Sequence, residues 1–443
     1  MYLKQSREER VRGWGGYPIV SATVFRPERV ADLVEFINRV KGPFLARGGG
    51  TSYGDASISS DGFNIDMHRL NMMLSFCSET GVLHCQSGVT LHDIIRTFLQ
   101  RGWFLHVTPG TQFATVGGCV ACDAHGKNWK AGSFGSYVKG LRLMLHDGSI
   151  IFCNESENSD IYLATLGGMG MTGVILDIYL QLKRISSSYV DVETIQFSNL
   201  EELFSLQRES MNSYEYLFSW LDSHNEGKSM GRGILQRANH CTSQNLQYNE
   251  KRRFFVPFNF PSYTVNRFSV ATFNYLNYAT ATKHKESKLY LNDFFYPLDR
   301  IANWNRIYGR KGFIEYQAVV PFDSAYEVIS ELLKKITKSK LGSTIAAVKP
   351  LAKSDGLISF PIDGFTLAVD FAYSENLLPL LDQLDQIVIA SGGRVYLAKD
   401  ARLSGKSFKK MYSNSLEKWE LIREKNQVKQ NFTSAMFNRL SGT

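Results

Sequence analysis

The sequence predicts an α+β fold built as two domains, and three observations carry that expectation. At 443 residues the chain exceeds what one ordinary hydrophobic core organises, so two domains, or one domain with a large insertion, is the natural division. Up to about residue 185, strand and helix spacings alternate and are punctuated by glycine-rich loops. Beyond Arg184 the texture changes to alternating, sheet-forming segments interspersed with helical ones. The expected division is a first domain over 1–185, a second, antiparallel-sheet domain over 186–390, and a return of 391–443 to the first.

The elements follow in order. Residues 17–25 are extended and partly β-branched, and 27–40 then space their apolar side chains as a helix does, with Pro27 in the first turn. A short strand at 44–46 leads into Arg47-Gly-Gly-Gly-Thr-Ser-Tyr-Gly-Asp55, a loop with four glycines. Strands are expected at 63–67 and 82–86, a helix at 91–101, a glycine-rich stretch over 109–135, and strands at 141–145, 150–153 and 173–182. In the second domain 188–195 alternates as a strand and 200–211 is spaced as a helix. Residues 224–268 turn polar, then basic and aromatic, through Lys251-Arg-Arg-Phe-Phe-Val-Pro-Phe-Asn-Phe-Pro261. They read either as a solvated loop running into a buried strand or as a mobile flap that meets an anionic or lipidic surface, since adjacent cations and aromatics suit an interface. Residues 393–400 read as a strand and its exit, and 407–440 as a helical tail.

Composition excludes some classes of protein. Apolar residues at 44% against 21% charged are enough to build a core, which argues against disorder. The longest apolar runs, such as 174–182, are broken by charge well short of the roughly 20 residues a membrane span needs. The first ten residues are polar and carry acids, without the apolar core of a secretory signal. A cytoplasmic location is therefore expected, and association with the inner membrane surface is compatible with it. Disulfides are not expected among the six cysteines. Cys119 and Cys122 have the spacing of a redox or zinc pair, but no second pair exists, and small residues packed near something flat is the simpler account. The net charge of +8 suggests anionic company: nucleic acid, a phosphorylated substrate or an acidic membrane surface. Without zinc-finger spacing, an RNA-binding aromatic signature or a heptad array, no nucleic-acid partner is expected.

The chemistry concentrates in the glycine loops. Gly48, Gly49 and Gly50 remove side chains where the backbone turns sharply, so successive amides can converge on a diphosphate. The spacing is neither that of the dinucleotide Gly-x-Gly-x-x-Gly motif nor that of the nucleoside-triphosphate loop. A second loop, Pro109-Gly-Thr followed by Thr115-Val-Gly-Gly118, offers further backbone and hydroxyl donors, and a third is Gly167-Gly-Met-Gly-Met-Thr-Gly173. Three such loops exceed what turns alone require. A long cofactor with a diphosphate and a flat ring system would use all of them.

With Gly13-Trp-Gly15, Cys122-Asp-Ala-His-Gly-Lys-Asn128, Gly132-Ser-Phe-Gly135, Tyr296-Pro-Leu-Asp299, Trp304-Asn-Arg306, Ser359-Phe-Pro-Ile362 and Tyr396-Leu-Ala-Lys-Asp400, these loops resemble the FAD-binding vanillyl-alcohol oxidase superfamily, the PCMH-type flavoproteins. The resemblance runs almost end to end, and within the superfamily it is to the branch that oxidises polyprenyl-phosphoryl ribose. It implies a PCMH-type FAD-binding domain followed by a substrate domain. It places Arg47, Gly48, Gly49, Gly50, Thr51, Ser52, Tyr53, Gly54 and Asp55 around the FAD diphosphate. Gly110, Thr115, Val116, Gly117, Gly118, Cys122, Asp123, Ala124, His125, Ile175 and Tyr396 complete the cofactor site. Thr51 stands where many members carry a flavin-linking histidine, so the resemblance implies noncovalent FAD.

Oxidising a carbinol takes a proton from oxygen and a hydride from carbon, so a base or oxyanion stabiliser must stand by the flavin. The resemblance gives that place to Lys399, where desolvation would suit a base; an isolated lysine at a strand exit would otherwise be a surface charge. His125 is either a second active-site group or a structural hydrogen-bonder. Tyr53, Gln317, Lys349 and Lys399 match substrate-pocket positions, while Ala368 replaces a cysteine and Glu315 a glutamine of that branch. Both departures touch the pocket and leave the cofactor site intact.

The implied activity is FAD-dependent oxidation of a sugar carbinol, the 2′-hydroxyl of a polyprenyl-phosphoryl ribofuranose, as the oxidase half of an epimerisation to arabinose. The implied partners are the lipid-linked sugar or another sugar, a separate NAD(P)H-dependent short-chain reductase, and a peripheral membrane contact. Two other readings stand beside it: a soluble aldonolactone or alditol oxidase of the same superfamily, and a non-enzymatic anion- or nucleic-acid-binding protein whose glycine loops are only turns. No metal site is expected.

Overall fold

The computed structural model describes residues 6–442. Residues 1–5, part of the polar N-terminal stretch read above, and Thr443 lie outside the described residues. Ser6–Arg12 (β1), Ile19–Phe25 (β2), Phe44–Arg47 (β3) and Phe63–Asp66 (β4) form a sheet in the order β1-β2-β4-β3, with β4 parallel to both β2 and β3. The helix Val30–Arg39 makes the crossover from β2 to β3. It buries Leu33, Phe36 and Ile37, and Phe36 stacks on Phe25 with ring centroids 3.9 Å apart, as the helical spacing of 27–40 requires.

A second, antiparallel sheet holds Met73–Phe76 (β5), Val82–Gln86 (β6), Trp103–Leu105 (β7), Val138–Met144 (β8), Ile150–Cys153 (β9) and Val174–Arg184 (β10). Its order is β5-β6-β10-β8-β9, with β7 against the far end of β10. The central strand β10 carries one buried charge, Asp177, which Arg142 meets at 2.8 Å and His84 at 2.7 Å. That pairing is why an otherwise apolar run tolerates an acid: a buried carboxylate persists only with partners.

The remaining strands are Tyr189–Phe197 (β11), Tyr216–Leu221 (β12), Gly233–His240 (β13), Phe254–Phe255 (β14), His284–Tyr290 (β15), Ile301–Ala302 (β16), Phe313–Pro321 (β17), Ala346–Leu351 (β18), Gly364–Ala372 (β19) and Arg394–Val395 (β20). β14 and β16 pair with each other. The other eight form one antiparallel sheet in the order β15-β11-β13-β12-β18-β19-β17-β20. Helices Ala325–Ser339 and Leu377–Ala390 pack on one face, where the Tyr316 hydroxyl reaches Asp385. The opposite face looks toward the first domain.

Two segments differ from the sequence reading. Residues 224–268 are not one loop, because β13 is an interior strand between β11 and β12. Its polar residues are accommodated by cross-strand pairing, Arg237 meeting Glu193 of β11 at 2.7 Å; the basic, aromatic stretch begins only after Cys241. The strand expected at 393–400 is two residues long. After Val395 the chain turns back, the amides of Lys399 and Asp400 both donating to Tyr396 O.

The tail forms helices Gly405–Met411, Ser413–Lys425 and Ala435–Ser441. They seat on the first domain through Trp419 Nε1 to Ala164 O at 2.9 Å and Arg423 Nε to Met171 O at 3.1 Å.

Candidate active site

β3 delivers the chain directly into the first glycine loop. At the entry the Arg47 guanidinium donates to Ser57 O and Arg12 O, each at 2.8 Å. At the exit the Asp55 carboxylate accepts from Arg439 at 2.8 Å. Side chains thus pin both ends, while the amides of Gly49, Gly50, Thr51 and Ser52 donate to no protein acceptor among the described residues. Four unspent amides in succession make an anion-binding concavity. Beyond them Tyr53 N is spent on Ala398 O at 2.9 Å, and a Cβ on Gly54 would lie 1.7 Å from Asp400 O.

The second loop closes on the first. A Cβ on Gly48 would lie 2.1 Å from Thr115 Oγ1, so the two loops approach to a distance that only glycine allows. Thr115 Oγ1 accepts from Gly118 N at 3.2 Å, capping the short helix Val116–Ala121, and Gly117 N goes to Ser87 O at 2.9 Å. Gly110 borders open space. Val116, Ala124 and Ile175 are buried and bring only apolar surface. In the third loop the amides of Gly167, Gly168, Met169 and Met171 go to protein carbonyls, while those of Gly170, Thr172 and Gly173 meet no protein acceptor among the described residues.

Asp123 has both carboxylate oxygens engaged. Oδ1 accepts from Gly135 N at 2.8 Å, and Oδ2 from the hydroxyls of Ser354 and Ser359 at 2.6 Å each, tying this loop to the second domain. Cys122 Sγ lies 3.8 Å from Ser52 Oγ, and burial pushes its thiol up to about 11. Burial raises Cys119 as well. Both are protonated at neutral pH and behave as small packing side chains.

Strand alternation sets the other wall. Glu315 and Gln317 of β17, Thr366, Ala368 and Asp370 of β19, and Lys349 of β18 lie on one face, with Glu315 opposite Asp370, Gln317 opposite Ala368 and Lys349 opposite Thr366. His125 descends onto this face. Gln317 Nε2 lies 3.0 Å from its Nε2 and 3.1 Å from Thr366 Oγ1; Lys349 Nζ lies 3.0 Å from its Nδ1 and 2.6 Å from Gly126 O. A neutral imidazole accepts at one nitrogen only. Lys349 and Gln317 together therefore engage both ring nitrogens, one accepting and the other donating.

Burial, then the Lys349 and Lys399 charges, hold His125 well below the usual histidine pKa. Burial likewise brings Lys349 down to about 7, against the opposing Glu315 carboxylate and with Lys399 adding to the fall. The Tyr396 ring stands 5.2 Å from that of His125 and stacks on Phe360 at 4.6 Å, its hydroxyl reaching Cys122 O at 3.2 Å.

Lys399, at the tip of the turn after β20, pairs with Glu315 at 3.1 Å and sits 3.2 Å above the Tyr53 ring centroid. Tyr53 packs edge-on against Phe313 at 5.2 Å. The structure therefore gathers Tyr53, His125, Glu315, Gln317, Lys349, Tyr396 and Lys399 into one cluster.

Two members of this cluster escaped the sequence reading. Asp370 is 1% exposed, and Glu315 is the side chain its carboxyl meets. Burial and the adjacent Glu315 hold its pKa well above the carboxylate range. Lys127 donates to Phe294 O and lies over the Phe218 and Phe294 rings, and burial followed by the Lys349 charge lowers it to about 7. The signal for Asp370 was its place two residues past Ala368, on the same strand face; that for Lys127 was its place two past His125.

The parts fit a flavin dinucleotide. Unspent amides between pinned loop ends suit a diphosphate, glycine-lined loops exclude side chains beside it, and a wall of polar groups with shifted pKa values faces the cleft. Bound there, FAD would supply the hydride acceptor that no side chain provides.

Fold and site together define a PCMH-type flavoprotein oxidoreductase, and the chain belongs to the vanillyl-alcohol oxidase superfamily. A family model described as an FAD binding domain matches residues 20–154. Among individual proteins, the chain is 30% identical to decaprenylphosphoryl-β-D-ribose oxidase of Mycolicibacterium smegmatis, over 98% of this chain and 97% of that one. It is 27% identical to an uncharacterised protein of Streptomyces coelicolor, over 80% of this chain and all of the relative. Mouse L-gulonolactone oxidase is 30% identical over 41% of each chain.

Proposed function

We propose that the protein oxidises the 2′-hydroxyl of a polyprenyl-phosphoryl ribofuranose, with FAD held noncovalently. The observation that carries the reading is likeness to a decaprenylphosphoryl-ribose oxidase across 98% of this chain, whereas the lactone oxidase matches less than half of it. Gly49 to Ser52 would hold the diphosphate, and Thr51 supplies no imidazole for a flavin link. Lys399, paired with Glu315, turns its remaining N–H bonds to the carbinol oxygen and stabilises the charge that develops there. Lys349, neutral above about pH 7, takes the hydroxyl proton, and His125, engaged at both ring nitrogens, holds that lysine in position; bound FAD would accept the hydride. The departures at Ala368 and Glu315 lie on the wall that meets the sugar and tune its fit. A separate NAD(P)H-dependent short-chain reductase returns the keto sugar with inverted configuration, and the reaction runs at a membrane surface.

Acid precipitation followed by anaerobic reconstitution tests the reading. The flavin should stay in the supernatant, and the reconstituted protein should bleach with polyprenyl-phosphoryl ribose. Flavin in the pellet would refute noncovalent binding. Bleaching by aldonolactones or polyols alone would make the protein a soluble sugar oxidase.

A further inference from the structure

Of the thirteen large apolar side chains exposed among the described residues, eight fall between 254 and 276. They occupy two adjoining elements. The helix Arg267–Thr280 buries only Val270 and Asn274, the latter donating to Asp222 Oδ1 and Ser343 O at 3.0 Å each. Its outer side presents Phe268 at 67% exposure, Tyr275 at 59% and Leu276 at 53%. After Arg267 no charged residue occurs before Lys283. The loop before it presents Phe254, Phe255 and Phe258, each at least 60% exposed. The loop backbone is held in place: β14 pairs with β16, and the Arg306 guanidinium donates to Val256 O at 3.0 Å and Pro257 O at 2.7 Å.

Charge gathers on the same segment. Between 251 and 288 seven lysines and arginines face one acid, Glu286, which places +6 of the chain's +8 in 38 residues. Lys251 pairs with Asp293, but Arg252, Arg267, Lys283, Lys285 and Lys288 pair with no acid among the described residues. Beside the aromatic loop, and shared with Gly49 and Gly50 of the first glycine loop, opens a cavity of about 380 Å³ lined by Arg310, by the same Arg306 that holds the loop, and by Arg26, whose charge Glu9 and Asp66 already meet. Exposed aromatics ringed by unpaired cations are what a helix lying in a bilayer interface presents. A second copy of the chain fits worse, because a two-fold contact sets the same surface against itself and brings like charge together.

We infer that the 254–276 ridge docks the protein on a bilayer rich in anionic lipid, the aromatics entering the headgroup region and the flanking cations meeting phosphates. The ridge stands on its own exposure and charge; its purpose, access to a lipid-linked sugar, rests on the proposed function.

The experiment uses the full-length flavoprotein in flotation with vesicles of equal phosphatidylglycerol and phosphatidylcholine, or of phosphatidylcholine alone, over a range of salt. Binding is expected to the anionic vesicles, weakening as salt rises. The triple variant Phe268→Ser, Tyr275→Ser, Leu276→Ser should lose at least tenfold in affinity, and Lys283→Glu with Lys285→Glu should lose binding selectively at low salt. Unchanged far-ultraviolet dichroism and flavin absorbance check the fold of both.

No flotation of the wild type with anionic vesicles at low salt would overturn the inference. So would a wild-type dimer in sedimentation that the triple variant converts to monomer, which would make the ridge a contact between copies. Flavin bleaching by a water-soluble, short-prenyl phosphoryl ribose without vesicles separates the two proposals. Its failure alongside intact flotation removes the substrate reading and leaves the docking surface; intact bleaching without flotation does the reverse.

Discussion

Lys349 Nζ lies 3.0 Å from His125 Nδ1, so a histidine of the first domain's loop holds a lysine of the second domain's sheet in place. Burial carries Lys349 down to about 7, which places its charge change inside the working range. Above that pH Lys349 is neutral, and in the proposed reaction its lone pair can take the carbinol proton. Below it the ammonium has no lone pair to do so. The rate of anaerobic flavin reduction should therefore rise through about pH 7 and level off. Lys349→Met should flatten the rise and cost on the order of 10²-fold; a variant profile that still rises through pH 7 would put the titrating group elsewhere.

The same lysine links stability to pH, and the sign is fixed by the direction of its shift. Its folded pKa of about 7 lies below the unfolded value of about 10.4, so between these values the unfolded chain binds the extra proton. Stability from this group is present at high pH and is lost as pH falls toward 7. Urea midpoints compared at pH 6.5 and 9 should differ less for Lys349→Met than for the wild type. An equal difference in the two proteins would count against a buried, titrating Lys349.

Glu315 divides its influence between Lys399 and Asp370. It meets the first at 3.1 Å and helps keep the second protonated. Lys399→Ala should slow flavin reduction by roughly 10²–10³ while leaving the visible spectrum of the bound flavin unchanged. Glu315→Gln relieves the like-charge pressure on Asp370, which can then ionise and serve Lys399 in its place, so the loss should stay within about tenfold. A Glu315→Gln variant as slow as Lys399→Ala would show that Asp370 cannot substitute.

These contacts mark what was legible in the chain. The glycine loop at 48–50 was readable because local backbone geometry demands those residues, and His125 and Lys399 were readable from short motifs. Asp370 was not, because its meaning comes from register: it faces Glu315 only once β17 and β19 pair. β13 was hidden for a related reason, since Arg237 reads as a solvated charge until Glu193 lies across from it. The third loop was only partly readable, because glycine content reports where a backbone can turn, not which of its amides are already spent.

Gly48 offers a direct test of the cradle. A Cβ there would lie 2.1 Å from Thr115 Oγ1, which forces apart the two loops that approach most closely. Gly48→Ala should weaken FAD binding at least tenfold, read by flavin fluorescence on dilution, with little change in apoprotein dichroism. Adding Thr115→Ala removes the clashing hydroxyl and should recover part of the affinity, less what the lost cap of Gly118 N costs. Normal FAD affinity in the single variant would mean that the loops move independently.

Arg439 joins the first glycine loop to the Lys399 turn. From the helix Ala435–Ser441 it reaches Asp55 at the loop's exit at 2.8 Å and Asp400, next to Lys399, at 2.9 Å. Both carboxylates are buried, so Arg439→Met strands two acids with fewer partners, a change that costs roughly 3–5 kcal/mol. The lost energy has a specific location. Because the same two acids fix the ends of the FAD loop and the Lys399 turn, the variant should melt lower and also gain less thermal stability from added FAD than the wild type does. A lower melting temperature with an undiminished FAD-induced shift would confine Arg439 to packing and separate the tail helix from the cofactor site.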